Sequence, residues 1–258
     1  MNKRTYSTNL TLLYKTTQSI VTASLKKVGL LLYPSICIKC WCVVKGDNGF
    51  CGPCWKALRF ISHPFCHMCA LPMDVSPTHH SLCAKCLQAP HPFKNARAVF
   101  VYDEASKPFI LSFKNKGRTA YKTAFVSLMR RRGEDVIDTA DIICPVPLHW
   151  FKLLKRGYNQ SALLAQGIAH QCNKSYIPDL LIKTKSTKSQ AHLPFKARHQ
   201  NVKKSFAINP KYKHLLPDKK ILLVDDVMTT GATLATCAAL FNKQPIKSID
   251  VLVLARAT

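Results

Sequence analysis

Residues 219 to 234, KKILLVDDVMTTGATL, limit what this chain can fold into more than any other stretch. Ile221 to Val224 form a short apolar run, the composition of a strand buried on both faces. Asp225 and Asp226 follow and are expected to end that strand with two adjacent carboxylates. Val227 to Gly231 make a Thr/Gly loop, and Thr233 to Leu240 start a helix. A strand running through an acidic pair and a small polar loop into a helix N-terminus suits a sugar phosphate. Free backbone N–H groups at the helix start, including those of Ala232 and Thr233, match phosphate oxygens. Gly231 lets the backbone approach closely, and the hydroxyls of Thr229, Thr230 and Thr233 add donors. The two carboxylates can accept hydrogen bonds from a ribose diol. The plainer account is that Asp after a strand is a turn former and Thr-Gly is ordinary loop chemistry. The strand before and the helix after favour the functional account.

This stretch resembles the signature that binds 5-phosphoribosyl-1-pyrophosphate (PRPP) in type I phosphoribosyltransferases. That signature is a buried strand, two acidic residues, then T-T-G-x-T.

With 258 residues, the chain can hold one sizeable α/β core and a small accessory module. A hydrophobic fraction of 47% makes it globular. The formal charge of +25, from 38 Lys and Arg against 13 Asp and Glu, points to a polyanionic partner or substrate. Residues 1–33 read as a basic extension with a modest helical stripe through Leu10, Leu13, Ile20, Val21 and Leu25. The apolar run Val28 to Tyr33 is too short for a membrane span, and no long apolar segment precedes a small-residue cleavage site. A chain without an integral membrane segment is therefore expected.

Residues 34–90 form a cysteine module. Eight of twelve cysteines make four CxxC pairs: Cys37/Cys40, Cys51/Cys54, Cys66/Cys69 and Cys83/Cys86. Ten, eleven and thirteen residues separate successive pairs. Each CxxC turn aims two sulfurs at one point, and two such turns complete a tetrahedral zinc site. Sequential pairing and a cross-brace both satisfy the spacing. A disulfide framework would suit a secreted chain, and a redox CxxC would need a thioredoxin-like βαβ unit beside it. The lack of a signal-peptide pattern and the CxxC pairing argue against the first, and the turn-rich context, with Gly52-Pro53, Pro64 and Pro72, against the second, which favours structural zinc. Cys42, Cys144, Cys172 and Cys237 fall outside the pattern and read as ordinary core or surface residues.

Residues 91–258 alternate strands and helices, which implies a mostly parallel sheet with flanking helices. Strands are expected at Ala98–Tyr102, Asp141–Val146, Ile177–Lys183 and Ile249–Ala255, beside the DD strand. Helices are expected near Ser106–Phe113, Ser161–Cys172 and Thr233–Asn242. Ligands sit at strand C-terminal ends in such sheets, where the DD and TTG residues fall. The loop Pro145 to Gln160 also leaves a strand C-terminal end, and its Lys152, Lys155 and Arg156 make a second candidate anion site. Between Lys107 and Arg132 eight basic residues occur without an acid, with Phe113 and Tyr121 among them. Cations interleaved with aromatics can hold single-stranded nucleic acid, and they also describe an ordinary solvated helix face. From Lys183 to Lys220 another eleven basic residues meet one acid, Asp218. A long basic loop of this kind can fold over a polyanion. The candidate nucleic-acid residues are Lys114, Lys116, Arg118, Lys196, Arg198, Lys203 and Lys204.

The order of these motifs resembles the ComF/GntX family of phosphoribosyltransferase-like competence proteins over about residues 28–258. The carriers are LLLYPSICIKC, the CxxC series, FKNKGR and PVPLHW…KRGYNQSALLA. They continue in Thr187, Gln190, Arg198, Asn201, Val202 and Phe206, then LLVDDVMTTGATL and VLVLARA. Tyr158 stands where the family often has Phe. The resemblance implies a type I phosphoribosyltransferase fold behind a double zinc ribbon, with Zn²⁺ as a structural ion. It implies PRPP with Mg²⁺ as ligand, Asp225 and Asp226 at the ribose, and Thr229 to Thr233 at the 5-phosphate. Lys155 and Arg156 fall near the pyrophosphate. It also implies a cytoplasmic role in handling incoming single-stranded DNA, with competence helicase or processing proteins as partners. No acceptor pocket or general base is visible in the sequence. An active transferase and a non-catalytic PRPP-sensing, DNA-binding factor are both consistent with it.

Overall fold

The computed structural model describes residues 36–44, 49–75, 81–115, 121–148, 150–184 and 205–258. Two compact units divide between Trp55 and Lys56, so the first two CxxC pairs belong to one unit and the last two to the other.

In the first unit, Ile36 and Val43 form an antiparallel bridge around a tight turn. The amide of Cys37 donates to Cys42 O (2.8 Å), and that of Trp41 to Cys37 O (2.9 Å). Trp41 takes the left-handed conformation, φ 68°. Helix α1 (Gly52–Lys56) begins here. The rings of Phe50 and Trp55 meet edge to face at 6.3 Å.

The second unit repeats that turn at the same offsets. Phe65 bridges Pro72, the amide of Cys66 donates to Leu71 O (2.8 Å), and that of Ala70 to Cys66 O (2.8 Å). Ala70, four residues after its cysteine like Trp41, has φ 57°. Two sequences with different side chains thus make one knuckle, because the cysteine spacing and the backbone bonds set its shape. Helix α2 (Ala84–Gln88) carries Cys86.

The α/β body follows as β1 (Ala96–Val101), α3 (Lys107–Asn115), α4 (Lys122–Arg132), α5 (Glu134–Asp138) and β2 (Ile142–Pro145). Then come α6 (Trp150–Arg156), α7 (Gln160–Gln171), β3 (Ser175–Tyr176), β4 (Leu181–Lys183) and β5 (Phe206–Ile208). A 3₁₀ turn (Pro210–Leu215), β6 (Lys220–Met228), α8 (Ala232–Phe241) and β7 (Ser248–Arg256) complete it. Five parallel strands lie in the order β1-β7-β6-β2-β3, and β4 pairs with β5 in a separate antiparallel ribbon. The expected α/β architecture with a mostly parallel sheet is what forms.

The central strand β6 is apolar from Ile221 to Val224 because helices and turns cover both sheet faces. Ile221 and Leu223 point into a cluster with Leu234, Cys237 and Phe241 of α8 and with Phe65, Cys66, Cys69, Cys83 and Cys86. The second cysteine module therefore packs into the core of the sheet itself. On the other side an aromatic chain links β1, α3 and α4: Phe100–Phe109 at 5.6 Å, Phe109–Phe125 at 5.9 Å and Phe113–Phe125 at 5.2 Å.

Three sequence expectations are corrected. The DD pair does not end its strand, since β6 pairs with β7 as far as Met228↔Arg256. Its pairing with β2 does stop, at Pro145↔Val224, and the last bond there is Val146 N to Val224 O. The Asn159 side-chain amide takes Val146 O, and Asp226 N, the donor that would continue the ladder, turns back to Asp225 Oδ1. The expected strand Ile177–Lys183 forms only at its end, as β4 (Leu181–Lys183); β3 precedes it, and a turn beginning at Pro178 lies between. The stretch Pro145 to Gln160 is not all loop, because α6 (Trp150–Arg156) occupies its middle.

Candidate ribose-phosphate and metal sites

Because the pairing of β2 with β6 stops at Val224, the β2-side edge of β6 opens where the carboxylates begin. The N-terminus of α7 fills part of that opening. Asn159 caps α7, accepting from Ser161 N (3.1 Å), and its own amide donates to Val146 O (3.1 Å). This ties the helix start to the end of β2. Ser161 Oγ, buried, then donates to Asp225 Oδ1 at 2.7 Å, and Asp226 N donates to the same oxygen at 2.9 Å.

Successive strand residues point to opposite faces, so Asp226 meets other neighbours. Lys114 Nζ, from the last turn of α3, lies 2.9 Å from Asp226 Oδ1. The end of α3 is held in place by residues around the start of α7. Tyr158 OH donates to Phe113 O, and Gln160 Nε2 donates to Lys114 O at 2.8 Å. Arg156 Nη1 in turn donates to Gln160 Oε1 at 3.1 Å. The FKN, GYNQS and DD segments, far apart in the chain, thus converge at one strand end.

Burial pushes the Asp225 carboxyl up to about 7, and the adjacent Asp226 charge pushes the same way. The Ser161 hydroxyl, the Asp226 amide and Lys114 pull it back, but less. A carboxyl near neutrality and a charge-paired neighbour have different hydrogen-bonding roles, as expected when environments separate two adjacent acids.

After β6, Thr229, Thr230 and Thr233 are exposed. Gly231 stands at φ 77° as the N-cap of α8. A Cβ there would lie 2.7 Å from Met228 Cε and 3.1 Å from His91 Cε1, so shape as well as φ selects glycine. Thr230 Oγ1 accepts from Ala232 N at 3.4 Å. The first intrahelical bond is Ala235 N to Gly231 O (2.8 Å), which leaves earlier amides available to an anion.

Lys155 is exposed in the last turn of α6, and Arg156 beside it is engaged with Gln160. Of the candidate nucleic-acid residues, Lys114 is turned to Asp226. Lys116, Arg118, Lys196, Arg198, Lys203 and Lys204 lie outside the described residues. The roles of Ser161, Gln160 and Asn159 were missed from sequence, although the polar triplet NQS directly before an apolar helix pattern was a capping signal.

The twelve cysteines are free thiols. Eight sulfurs gather as Cys37, Cys40, Cys51, Cys54 and as Cys66, Cys69, Cys83, Cys86, each set within 4.8 Å. The grouping is sequential. Zinc–sulfur bonds in a tetrahedral site place sulfurs about 3.8 Å apart. The Cys40–Cys51 separation is 3.5 Å and the Cys69–Cys83 separation 3.7 Å, so both sets fit structural zinc. The second set is buried throughout, whereas Cys40 is exposed. Cys42 is a fifth thiol beside the first set, 3.3 Å from Cys40 Sγ, although its spacing leaves it outside the CxxC pattern.

A parallel sheet with a DD-to-TTG strand end and two cysteine tetrads defines a phosphoribosyltransferase-like protein carrying a double zinc ribbon. Family models agree: a double zinc ribbon domain matches residues 29–87 and a phosphoribosyl transferase domain residues 161–258. The chain is 30% identical to competence protein F of Haemophilus influenzae, covering 81% of this chain and 91% of that one. It is 28% identical to DNA utilization protein YhgH of Escherichia coli (88% and 99% covered) and 26% identical to competence protein ComFC of Bacillus subtilis (83% and 87%). The chain belongs to the ComF/GntX family. Among the described residues no helix is long and apolar enough to cross a membrane.

Proposed function

We propose that the protein binds PRPP with Mg²⁺ at the C-terminal end of β6 and acts in natural competence, in the uptake and handling of transforming single-stranded DNA in the cytoplasm. The observation that carries the ligand reading is the junction of β6 and α8. Two carboxylates held by Ser161 and Lys114 stand beside a glycine-capped helix start with three exposed threonines. Asp225 and Asp226 take the ribose hydroxyls. Thr229, Thr230, Gly231, Ala232 and Thr233 take the 5-phosphate through amides and hydroxyls. Lys155 and Arg156, on the helix that follows β2, attract the pyrophosphate. Mg²⁺ is held mainly by oxygens of the substrate, because this ion keeps much of its water and few protein ligands. If the protein transfers the phosphoribosyl group, these residues stabilise the charge released as the C1–pyrophosphate bond breaks and hold the ribose still. The competence role rests on the names of the relatives and on the charge of +25.

A second reading, a PRPP sensor that binds single-stranded DNA without catalysis, draws on α6. Trp150 and Phe151 are 60% and 63% exposed, side by side with exposed Lys152 and Lys155. Exposed rings among cations suit stacked bases and phosphates.

Calorimetric titration of PRPP with Mg²⁺ tests the ligand reading. Asp225→Asn with Asp226→Asn is expected to abolish binding while the fold persists, and an unchanged affinity would sink the assignment. Pyrophosphate release across a panel of bases and DNA separates transfer from sensing. Single-strand binding titrated with salt tests the DNA arm, where a flat salt response argues against phosphate contacts.

A further inference from the structure

Arg256, the last residue of β7, is 8% exposed and joins two parts of the second unit that the ligand reading treats separately. Its Nε donates to Cys69 O at 3.0 Å, a carbonyl within the knuckle of the second cysteine set. Its Nη1 donates to Thr229 O at 2.5 Å and faces Met228 O at 3.5 Å, and it also bonds Ala257 O. One planar guanidinium therefore spans from a cysteine turn to the first residue of the TTG loop. An arginine can do this because its donors form a rigid fork, which a lysine lacks.

The space around this link is shared as well. A cavity of about 420 Å³ is lined by Cys69, Cys83, His91, Thr229, Thr230 and Arg256, among others. His91, stacked on Phe93 at 4.8 Å, closes on Gly231 from this side. The back of the TTG loop thus rests on the cysteine module and on the residues just after it.

We propose that Arg256 is a positioning residue that couples the second cysteine set to the TTG loop, so that metal held by Cys66, Cys69, Cys83 and Cys86 sets the conformation of the anion-binding loop. The knuckle keeps Cys69 O in place only while its two cysteines are drawn together. When it loosens, the buried guanidinium loses its Nε partner and no longer holds Thr229 O. The part of this that concerns PRPP affinity rests on the ligand reading above; the part that concerns the loop's conformation does not.

The test uses the full-length zinc-loaded chain. Amide hydrogen exchange at residues 229–233 is measured in the wild type, Cys83→Ser, Arg256→Gln, Arg256→Lys and the Cys83→Ser/Arg256→Gln double variant. Zinc content and exchange in β6 serve as controls of fold. Arg256→Gln is expected to speed loop exchange about tenfold, the loss of a charge-assisted hydrogen bond, with zinc content unchanged. Arg256→Lys is expected to restore part of the protection. Cys83→Ser is expected to speed the same amides and to add little in the Arg256→Gln background. Unchanged loop exchange in Arg256→Gln overturns the coupling, as do additive effects in the double variant. Should Cys83→Ser fail to fold, zinc is withdrawn by chelator from the wild type and from Arg256→Gln, and faster loop exchange confined to the wild type supports the coupling while additive effects overturn it. PRPP titration of the same set is read separately: a wild type that does not bind PRPP defeats the ligand reading and leaves the exchange result to judge the coupling.

Discussion

Lys114 Nζ sits 2.9 Å from Asp226 Oδ1, in a pair whose side chains are 21% and 11% exposed. A basic tract that reads as a solvated or DNA-binding face therefore supplies a counter-charge for the carboxylate pair of β6. Removing the lysine leaves Asp226 largely buried and unpaired. Lys114→Met is expected to destabilise the fold by roughly 1–3 kcal/mol, measurable by urea unfolding, and to weaken PRPP binding in the same preparation. A variant with wild-type stability and affinity would place the pair outside the site.

The same lysine lowers the Asp225 carboxyl, while Asp226 raises it. Carbon-13 NMR of labelled aspartate should show Asp225 titrating near 7. Asp226→Asn should move that transition down, and Lys114→Met should move it up. The sign for stability follows. An acid whose folded pKa is raised binds protons in the folded state that the unfolded chain has already lost. Its contribution is therefore most favourable below the unfolded pKa and falls as pH rises towards 7. Asp225→Asn should flatten that part of the stability profile.

Gly231 combines a φ of 77° with no room for a Cβ beside Met228 and His91. Gly231→Ala is expected to cost about 1–2 kcal/mol from the left-handed backbone alone, with the contacts adding to it. The effect should appear as a lower Tm and a weaker affinity for inorganic phosphate or PRPP. Gly157→Ala, at φ 80° but with nothing within 4 Å of its Cβ, supplies the comparison, since it carries the backbone cost without the clash.

The two cysteine sets should differ in what their loss does. The second lies in the same apolar cluster as Leu223, Val251 and Phe241, so metal bound there would brace the sheet. The first belongs to the other compact unit. Cys86→Ser should lower the Tm of the α/β body and expose slow-exchanging amides of β6 and β7. Cys54→Ser should leave those amides protected. Thermal unfolding with hydrogen exchange read by segment checks both.

Much of the site was legible in the chain. KKILLVDDVMTTGATL carries the apolar run of a buried strand, a glycine turn and a helix start, because these signals act within a few residues. CxxC pairs state their ligand chemistry in the same local way. Strand β7 and helices α7 and α8 fall within a residue or two of the expected bounds. Errors came where distant partners decided the matter: the Asn159 side chain closes the end of β2, and β7 carries β6 on to Met228. The apolar pattern cannot show where a neighbouring strand stops donating.

What local pattern could not reveal is which distant residues meet. Ser161, Lys114, Gln160 and Arg256 are unremarkable as single letters, and Lys114 even reads as part of another surface. Their roles arise because β2 ends one residue before Asp225 while β7 continues to Arg256. That difference opens one edge of β6 to α3 and α7 and leaves the other bound to the end of β7. The sequence alone determined most element types and the pairing of thiols within each CxxC, since those depend on residues close in the chain. Tertiary structure decided which carboxylate is paired, which is raised towards neutrality, and that the second cysteine module rests against the TTG loop, since burial and charge depend on neighbours that only folding brings together.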